Sequence, residues 1–200
     1  MWHDRGVNTC NSDDQATPST VIGTSRLWLR AYRDDDLPDL VSMAGTWEVA
    51  SWLSALPFPY TEDHGREWIA HVRQAHAAGS PRAFAIALKG SDRLIGGAGL
   101  DGRSGDGSGE PSLGYWLGLP HRKQGYTREA VGAVIGYGFR TLGLDTMRAV
   151  TDPENAASQE VLLACGLRKV GDIDLAESMR RGARRAPLFR ISRHDLPATA

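Results

Sequence analysis

Hydrophobic residues recur along this chain with two different periods, and the change between them separates predicted strands from predicted helices. Residues 26–32 alternate apolar and polar side chains, which is typical of a strand. Residues 37–45 and 61–78 carry apolar side chains at intervals of three and four, which is typical of a helix with one buried face. A short helical segment is expected between these two helices, over residues 46–53.

Strands dominate the middle of the chain. Residues 83–88 and 93–100 are two strand-like runs separated by the turn residues Gly90-Ser91-Asp92, so they predict a hairpin. After a glycine-rich connection, residues 111–119 predict a third strand. The pattern therefore indicates three adjacent antiparallel strands.

Helices and strands alternate in the remaining part of the chain. From Gly125 the apolar residues recur at helical spacing until Gly143, which predicts a long helix. A strand over 147–151, a short helix over 155–165 and two last strands between 167 and 193 follow. This order of elements is typical of an α/β domain with a mixed sheet.

Composition limits what such a domain binds. The chain has 200 residues, which fits one domain over residues 24–196 after a polar stretch, residues 1–23, that we expect to be disordered. A net charge of -1 argues against bulk binding to nucleic acid or to an anionic membrane, and no apolar run approaches the ~20 residues that span a bilayer. The two distant cysteines suggest neither a disulfide framework nor a metal site, so a cytoplasmic protein without a metal is expected.

Positive charge nevertheless concentrates where the long helix begins. His121, Arg122 and Lys123 directly precede Gln124 and Gly125. The first N–H groups of a helix have no internal partner and carry partial positive charge, and a glycine lets an anion approach the backbone closely. These residues predict a diphosphate site, while an isolated segment of this kind also fits a solvated turn.

Five motifs follow one another along the chain. They are Gly114-Tyr115-Trp116, Arg122-Lys123-Gln124-Gly125-Tyr126-Thr127, Glu129-Ala130, Asp152-Pro153-Glu154-Asn155-Ala156-Ala157-Ser158 and Cys165-Gly166-Leu167. In this fixed order they resemble the GCN5-related N-acetyltransferase (GNAT) superfamily, and most closely its branch of RimJ/RimL-like ribosomal-protein N-terminal acetyltransferases. The resemblance extends from Arg26 to about Arg193.

The resemblance implies a GNAT fold, with a mostly antiparallel central sheet that splays at an acyl-CoA cleft. It implies acetyl-CoA as co-substrate, with main-chain groups near Leu117 and Leu119 pairing with the pantetheine. Thr127 stands where the family usually has Gly or Ala. The residues that would wrap the diphosphate are Arg122, Lys123, Gln124, Gly125, Tyr126 and Thr127.

The chain departs from the family at both positions of acid–base chemistry. Leu162 occupies the position of the usual general acid, a Tyr, so the resemblance implies Ser158 as its substitute and Asn155 as a partner of the pantetheine or of a water. On spacing alone, Asn155 is equally an N-cap, with Ser158 in its first turn. Ser112 replaces the usual base, a Glu, which leaves Glu110 or a water relay as the candidate base.

The expected function is an acetyl-CoA-dependent N-acetyltransferase that acts on a primary amine, either a protein N-terminus or a small amine. A non-catalytic acyl-CoA-binding or regulatory module is the alternative, and both a monomer and a homodimer are open. Trp47, Trp52, Phe58 and Tyr60 are expected either in the acceptor cleft or in the core. The basic run of Arg180, Arg181, Arg184 and Arg185 is expected to be a solvated loop, with an acidic protein or RNA surface as the alternative.

Residues 97–102 also fit the pattern G-x-G-x-x-G, which is a dinucleotide-binding signature when a helix follows. The residues after it cannot start a helix, so small residues in a packed strand are the preferred interpretation. His64, His71 and His76 lack the spacing of a helical metal pair.

Overall fold

A mixed sheet of eight strands forms the centre of the protein. The computed structural model describes residues 20–101 and 109–195. The strands lie in the order β1-β2-β3-β4-β5-β6-β8-β7, and all neighbours are antiparallel except β5 and β6. Their bounds are β1 Ile22–Gly23, β2 Leu27–Arg30, β3 Ala83–Leu88, β4 Leu94–Asp101, β5 Ser112–Leu117, β6 Thr146–Val150, β7 Arg168–Asp174 and β8 Arg185–Ser192.

Helices pack on both faces of this sheet. The α-helices are α1 Leu37–Ala44, α2 Trp47–Ala50, α3 Glu62–Ala77, α4 Tyr126–Arg140 and α5 Ala156–Ala164. Short 3₁₀ turns cover Asp34–Asp36, Leu119–His121 and Arg193–Asp195. In the described ranges, no helix is both long enough and apolar enough to cross a membrane.

The strand alternation supplies two separate cores, one on each face. Phe84 and Ile86 of β3 belong to the core under α4 and α5, whereas Ala85 between them belongs to the core under α1 and α3. In the same way, Ile95 of β4 faces the first core and Leu94 the second. The alternation predicted from the sequence therefore becomes two buried faces of one sheet.

β5 and β6 pair at a single point, which splays the sheet. Ser112 pairs with Arg148, and the Arg148 N–H donates to the carbonyl oxygen of Pro111 at 3.0 Å. The strands run parallel from there and separate, so the later part of β5 faces an opening instead of a neighbouring strand. This opening is the splay that the resemblance implied.

Two boundaries differ from those predicted. The expected disordered extension over 1–23 is wrong at its end, because Ile22–Gly23 forms β1 and Ile22 pairs with Leu29; residues 1–19 lie outside the described residues. The predicted strand over 111–119 ends at Leu117 and continues into the 3₁₀ turn. Pro120 in that turn has no N–H to give to a sheet, which favours the earlier end.

A buried ion pair connects β2 with the start of α1. The guanidinium of Arg30 donates from Nη1 and Nη2 to both carboxylate oxygens of Asp36, at 2.7 and 2.9 Å. Both residues are buried, with relative exposures of 4% and 5%. Arg30 Nε also donates to Asp92 at the β3–β4 turn, at 2.9 Å. One side chain thus joins β2 and the start of α1 to the β3–β4 turn, which is distant in sequence.

We expect Asp36→Ala to lower the free energy of unfolding by about 3 kcal/mol, because it leaves the buried charge of Arg30 with only one carboxylate. Urea denaturation measures this loss. Glu62→Gln is the matched control, since Glu62 and its partner Arg66 are largely exposed and an exposed pair contributes less than about 1 kcal/mol. Equal losses for the two variants would contradict the role of the buried pair.

Candidate active site

The later part of β5 presents main-chain groups that no strand pairs to the opening between β5 and β6. Leu117 lies opposite Gly96, and the Gly118 N–H donates to the Ile95 carbonyl at 2.9 Å. In an antiparallel pair of this type, the N–H and C=O of Leu117 point away from β4. The same alternation turns the peptide groups of Tyr115 toward the opening. The resemblance implies that the pantetheine pairs along this edge, around Leu117.

Leu119 takes a different position from the one predicted. It lies in the 3₁₀ turn, where its carbonyl oxygen accepts the N–H of Arg122 at 3.2 Å. Its side chain is 43% exposed. Because the turn already uses this carbonyl, Leu119 offers a ligand its N–H group alone.

The turn before α4 has the backbone shape of an anion site. Lys123 and Gly125 have φ angles of 62° and 78°, so two residues of the short turn are left-handed. The first intrahelical bond runs from the Glu129 N–H to the Gly125 carbonyl, at 3.1 Å. The N–H groups of Tyr126 and Thr127 therefore have no helical acceptor, and successive N–H groups of this kind form a concave site for anions.

Arg122 does not lie at the rim of this turn as a free cation. Its Nε donates to the Leu117 carbonyl at 3.3 Å, and its Nη2 donates to the Glu48 carbonyl of α2 at 3.1 Å. Burial lowers the pKa of the guanidinium. The side chain thus connects the end of β5 with α2. Gln124 donates from its side chain to the Pro120 carbonyl at 3.1 Å, within the same turn.

Two hydroxyl groups meet across the opening. The Tyr115 hydroxyl of β5 lies 2.9 Å from Ser158 Oγ of α5 and 3.1 Å from the Ser158 carbonyl oxygen. Burial raises the pKa of Tyr115 to about 12, so this phenol is neutral at physiological pH. Tyr115 was used only as part of a motif in the sequence, and its contact with Ser158 was missed. Its spacing of two residues from Leu113 and from Leu117, which places the three side chains on one face of β5, was the one available signal for its direction.

Asn155 is the N-cap of α5, as spacing alone suggested. Its Oδ1 accepts the Ser158 N–H at 3.1 Å. The cap uses the carbonyl oxygen of the side chain, which leaves the amide NH2 as the group that Asn155 can offer a ligand. The cap also fixes the first turn of α5 and with it the position of Ser158.

Glu110 is not brought together with Ser158. Its Oε2 accepts from Nε and Nη2 of Arg190 at 3.0 and 2.7 Å, and its Oε1 accepts from Thr146 at 3.3 Å. It precedes β5, and a strand rises about 3.3 Å per residue, so five residues place it roughly 16 Å along the chain from Tyr115. The ion pair with Arg190 and the distance from Tyr115 both argue against the predicted role of Glu110 as base.

The turn of residues 122–127, which the resemblance implies as the diphosphate site and which is called the cofactor turn below, also contacts the N-terminal part of the domain. Glu129 in the first turns of α4 accepts hydrogen bonds from Thr24, Ser25 and Arg26. These contacts were missed in the sequence, where Glu129 appeared only as part of a motif. An acidic residue near a helix N-terminus was the signal, but helix electrostatics alone explains that position.

Aromatic side chains between residues 47 and 58 contact the basic run. Trp47 and Phe58 are 49% and 43% exposed, and their rings meet edge to face at 5.2 Å. The Arg180 guanidinium lies 5.7 Å from the Phe58 ring and donates to the Leu56 carbonyl. Tyr60, by contrast, is buried in the core under α1 and α3.

Arg181 connects the aromatic residues with the start of α5. Its guanidinium lies 4.3 Å from the Trp52 ring and pairs with Glu154 at 3.2 Å. Glu154 directly precedes Asn155, the cap of α5. Two arginines of the basic run therefore pack on the aromatic segment instead of being fully solvated.

The alternative motifs have structural explanations. A Cβ on Gly97 would lie 2.3 Å from the Tyr32 hydroxyl, and one on Gly99 would lie 2.4 Å from the Arg82 carbonyl oxygen. Both glycines are thus packed residues of β4, as preferred, while residues 102–108 lie outside the described residues. In the described part of the chain, no group of His, Cys, Asp and Glu side chains has the arrangement of a metal site.

Comparison with known proteins agrees with this geometry. A family model described as "Acetyltransferase (GNAT) domain" matches residues 26–168. An uncharacterized N-acetyltransferase, p20 of Bacillus licheniformis, is 30% identical over 151 residues, which cover 76% of this chain and 84% of the relative.

Solved structures share the fold. The ribosomal-protein-S5-alanine acetyltransferase of Vibrio fischeri superposes with a TM-score of 0.73 at 18% identity, covering 90% of this chain and 100% of that one. RimJ of Mycobacterium smegmatis, in complex with CoA-disulfide, gives a TM-score of 0.73 at 17% identity, with coverages of 90% and 91%. The predicted family and fold class are confirmed, and the chain belongs to the GNAT family of acetyltransferases.

Proposed function

We propose that this protein transfers an acetyl group directly from acetyl-CoA to the α-amino group at a protein N-terminus. The observation that carries the proposal is the Leu117 N–H, which faces away from β4 and borders the same opening as the Tyr115–Ser158 hydroxyl pair. The left-handed turn before α4 follows the end of β5. One extended thioester can therefore contact all three features.

The cofactor would bind in two parts. The N–H groups of Lys123, Gln124, Gly125, Tyr126 and Thr127 would hold the diphosphate, and the Thr127 hydroxyl supplies one more donor. The Leu117 peptide would pair with the pantetheine, and its N–H would polarise the thioester carbonyl. A preorganised N–H in that role contributes about 3 kcal/mol to transition-state stabilisation.

Ser158 would supply the proton that the leaving thiolate needs. The amine nitrogen attacks the carbonyl carbon, the C–S bond breaks, and Ser158 Oγ–H protonates the sulfur. The neutral Tyr115 hydroxyl donates to Ser158 Oγ as negative charge develops there. Solvent then returns a proton to Ser158 Oγ. The amide NH2 of Asn155, at the same helix end, would bind the pantetheine or a water.

An α-amine suits this site because neither hydroxyl of the pair has a carboxylate partner among the described residues. Without a nearby base, the acceptor must already be neutral when it binds, with water taking its second proton. An α-amino group has a pKa of about 7.8 and a lysine of about 10.4, so at pH 7.5 about a third of the former and about 0.1% of the latter is neutral. The name of the Vibrio fischeri structure, which specifies a ribosomal-protein alanine acetyltransferase, also supports a protein N-terminus.

The cofactor turn is tested by Gly125→Ala and Gly143→Ala. Both glycines have left-handed φ angles, of 78° and 69°, so each alanine should cost roughly 1–2 kcal/mol in stability. Only Gly125→Ala should weaken binding of coenzyme A, measured by calorimetry, because Gly143 lies beyond the opposite end of α4. Equal affinity in both variants would contradict diphosphate binding at the turn.

The hydroxyl pair is tested by Ser158→Ala and Tyr115→Phe. We expect Ser158→Ala to lower kcat about 100-fold or more, as loss of a general acid does, and Tyr115→Phe to lower it less. Since the pKa of Tyr115 is about 12, neither variant should shift a pKa that the pH dependence of kcat shows between pH 6 and 9. Coenzyme A affinity should stay within about twofold, and an unchanged kcat in Ser158→Ala would exclude its role as acid.

The acceptor is tested with matched peptides. One has a free α-amine and no lysine, and the other has a blocked N-terminus and one lysine. Release of free thiol from acetyl-CoA should be faster with the first peptide at pH 7.5, and its rate should rise with an apparent pKa near 8. Binding of acetyl-CoA without turnover on any amine would instead support the non-catalytic module.

A further inference from the structure

The carboxylate of Glu129 is saturated with hydrogen bonds from the segment before β2. Its Oε1 accepts from Thr24 Oγ1 at 2.6 Å, from Ser25 Oγ at 2.9 Å and from the Arg26 N–H at 2.8 Å. Its Oε2 accepts from Arg26 Nε at 2.7 Å. The Glu129 side chain is only 15% exposed, and these donors lower the pKa of its carboxyl group to about 2. The carboxylate is therefore charged throughout the physiological range.

Glu129 fixes the guanidinium of Arg26 against the cofactor turn. With Nε held by the carboxylate, Arg26 Nη1 donates to the Gln124 carbonyl at 2.9 Å. The guanidinium also lies 4.5 Å from the centre of the Tyr126 ring. Its Nη2 lies 3.3 Å from the place that a Cβ on Gly125 would take. One planar group thus contacts every residue of the turn from Gln124 to Tyr126.

The contact with the Gln124 carbonyl determines where the next N–H points. The carbonyl of Gln124 and the N–H of Gly125 belong to one peptide group, and in a trans peptide the two point in opposite directions. The Gln124–Gly125 peptide is not among the cis bonds of the described residues. When Arg26 binds the carbonyl from one side, the Gly125 N–H is directed to the other side.

We infer that Arg26, held by Glu129, is a positioning residue for the diphosphate of acetyl-CoA, because it fixes the orientation of the Gln124–Gly125 peptide. The inference rests on the proposed function, since it concerns the same cofactor turn. Arg26 also brings positive charge to this turn, where the guanidinium of Arg122 is directed instead toward Leu117 and Glu48. Gly125 is the residue that leaves room for the guanidinium beside the turn.

The test compares two acetyl donors, acetyl-CoA and S-acetyl-pantetheine, of which only the first has a diphosphate. We expect Arg26→Ala to raise the KM for acetyl-CoA about 10- to 100-fold, which is the effect of losing charged hydrogen bonds. The kcat at saturating acetyl-CoA should stay within about twofold. With S-acetyl-pantetheine, kcat/KM should equal that of the wild type, because this donor does not reach the turn.

Arg193→Ala is the matched control for the loss of an arginine. Arg193 is 45% exposed and Arg26 47% exposed, and Arg193 also joins a carbonyl, of Leu144, to a carboxylate, of Asp145. It lies beyond the far end of α4, whose 15 residues span about 22 Å. The KM for acetyl-CoA should therefore be unchanged in this variant.

Two milder variants separate positioning from folding. Arg26→Lys retains a donor for the Gln124 carbonyl but loses the planar fork, so it should restore part of the affinity that Arg26→Ala loses. Glu129→Gln removes the acceptor of Arg26 Nε and should raise the KM for acetyl-CoA several-fold. If Arg26→Ala does not fold, these two variants decide the question.

The outcomes distinguish the inference from the proposed function. An unchanged KM for acetyl-CoA in the folded Arg26 variants, or an equal loss with both donors, would overturn the role of Arg26. A wild-type protein that neither binds nor turns over acetyl-CoA would overturn the proposed function itself. A loss confined to the donor with a diphosphate supports both.

Discussion

The single point of pairing between β5 and β6 is the constraint on which the rest of this structure depends. An unpaired strand edge inside a sheet leaves main-chain donors and acceptors without partners, and folded proteins normally cover such edges. Here the two strands share one bridge at Ser112 and Arg148 and then separate. The Leu117 N–H at this open edge is thereby left without a partner strand, and in the proposed function a ligand supplies its acceptor.

The chain connections place chemical groups around this opening. β5 leads through a 3₁₀ turn into α4, so the N-terminus of α4 lies at the end of the open edge. β6 leads into α5, so Ser158 lies on the opposite side of the splay. The Tyr115 side chain reaches from β5 to α5, where its hydroxyl contacts Ser158. The same divergence that exposes Leu117 therefore also creates the space in which the two hydroxyls meet.

The elements were predictable because their signals are local, whereas the site contacts were not. Hydrophobic periods and glycines predicted nearly all helices and strands, and the residues around Gly125 predicted an anion site, which stays a prediction. Tyr115 and Ser158 are 43 residues apart, and Arg26 and Glu129 are 103 apart, so no local pattern marks either pair. Glu110 shows the limit most clearly. Alternation along a strand predicts the face of a side chain, but it does not reveal that Arg190 from β8 binds this carboxylate.

The cofactor turn contains a strained residue, Lys123, and is held by side-chain hydrogen bonds to carbonyl oxygens. The left-handed φ angle of Lys123 costs free energy, whereas glycine adopts the φ angle of Gly125 without strain. The hydrogen bonds from Arg26 and Gln124 fix this conformation through carbonyl oxygens, so they leave the N–H groups free. In the proposed function, little of the binding free energy of the diphosphate would be lost in ordering the turn. Preorganised donors are also the ones that contribute most to binding an anion, because they need no reorientation.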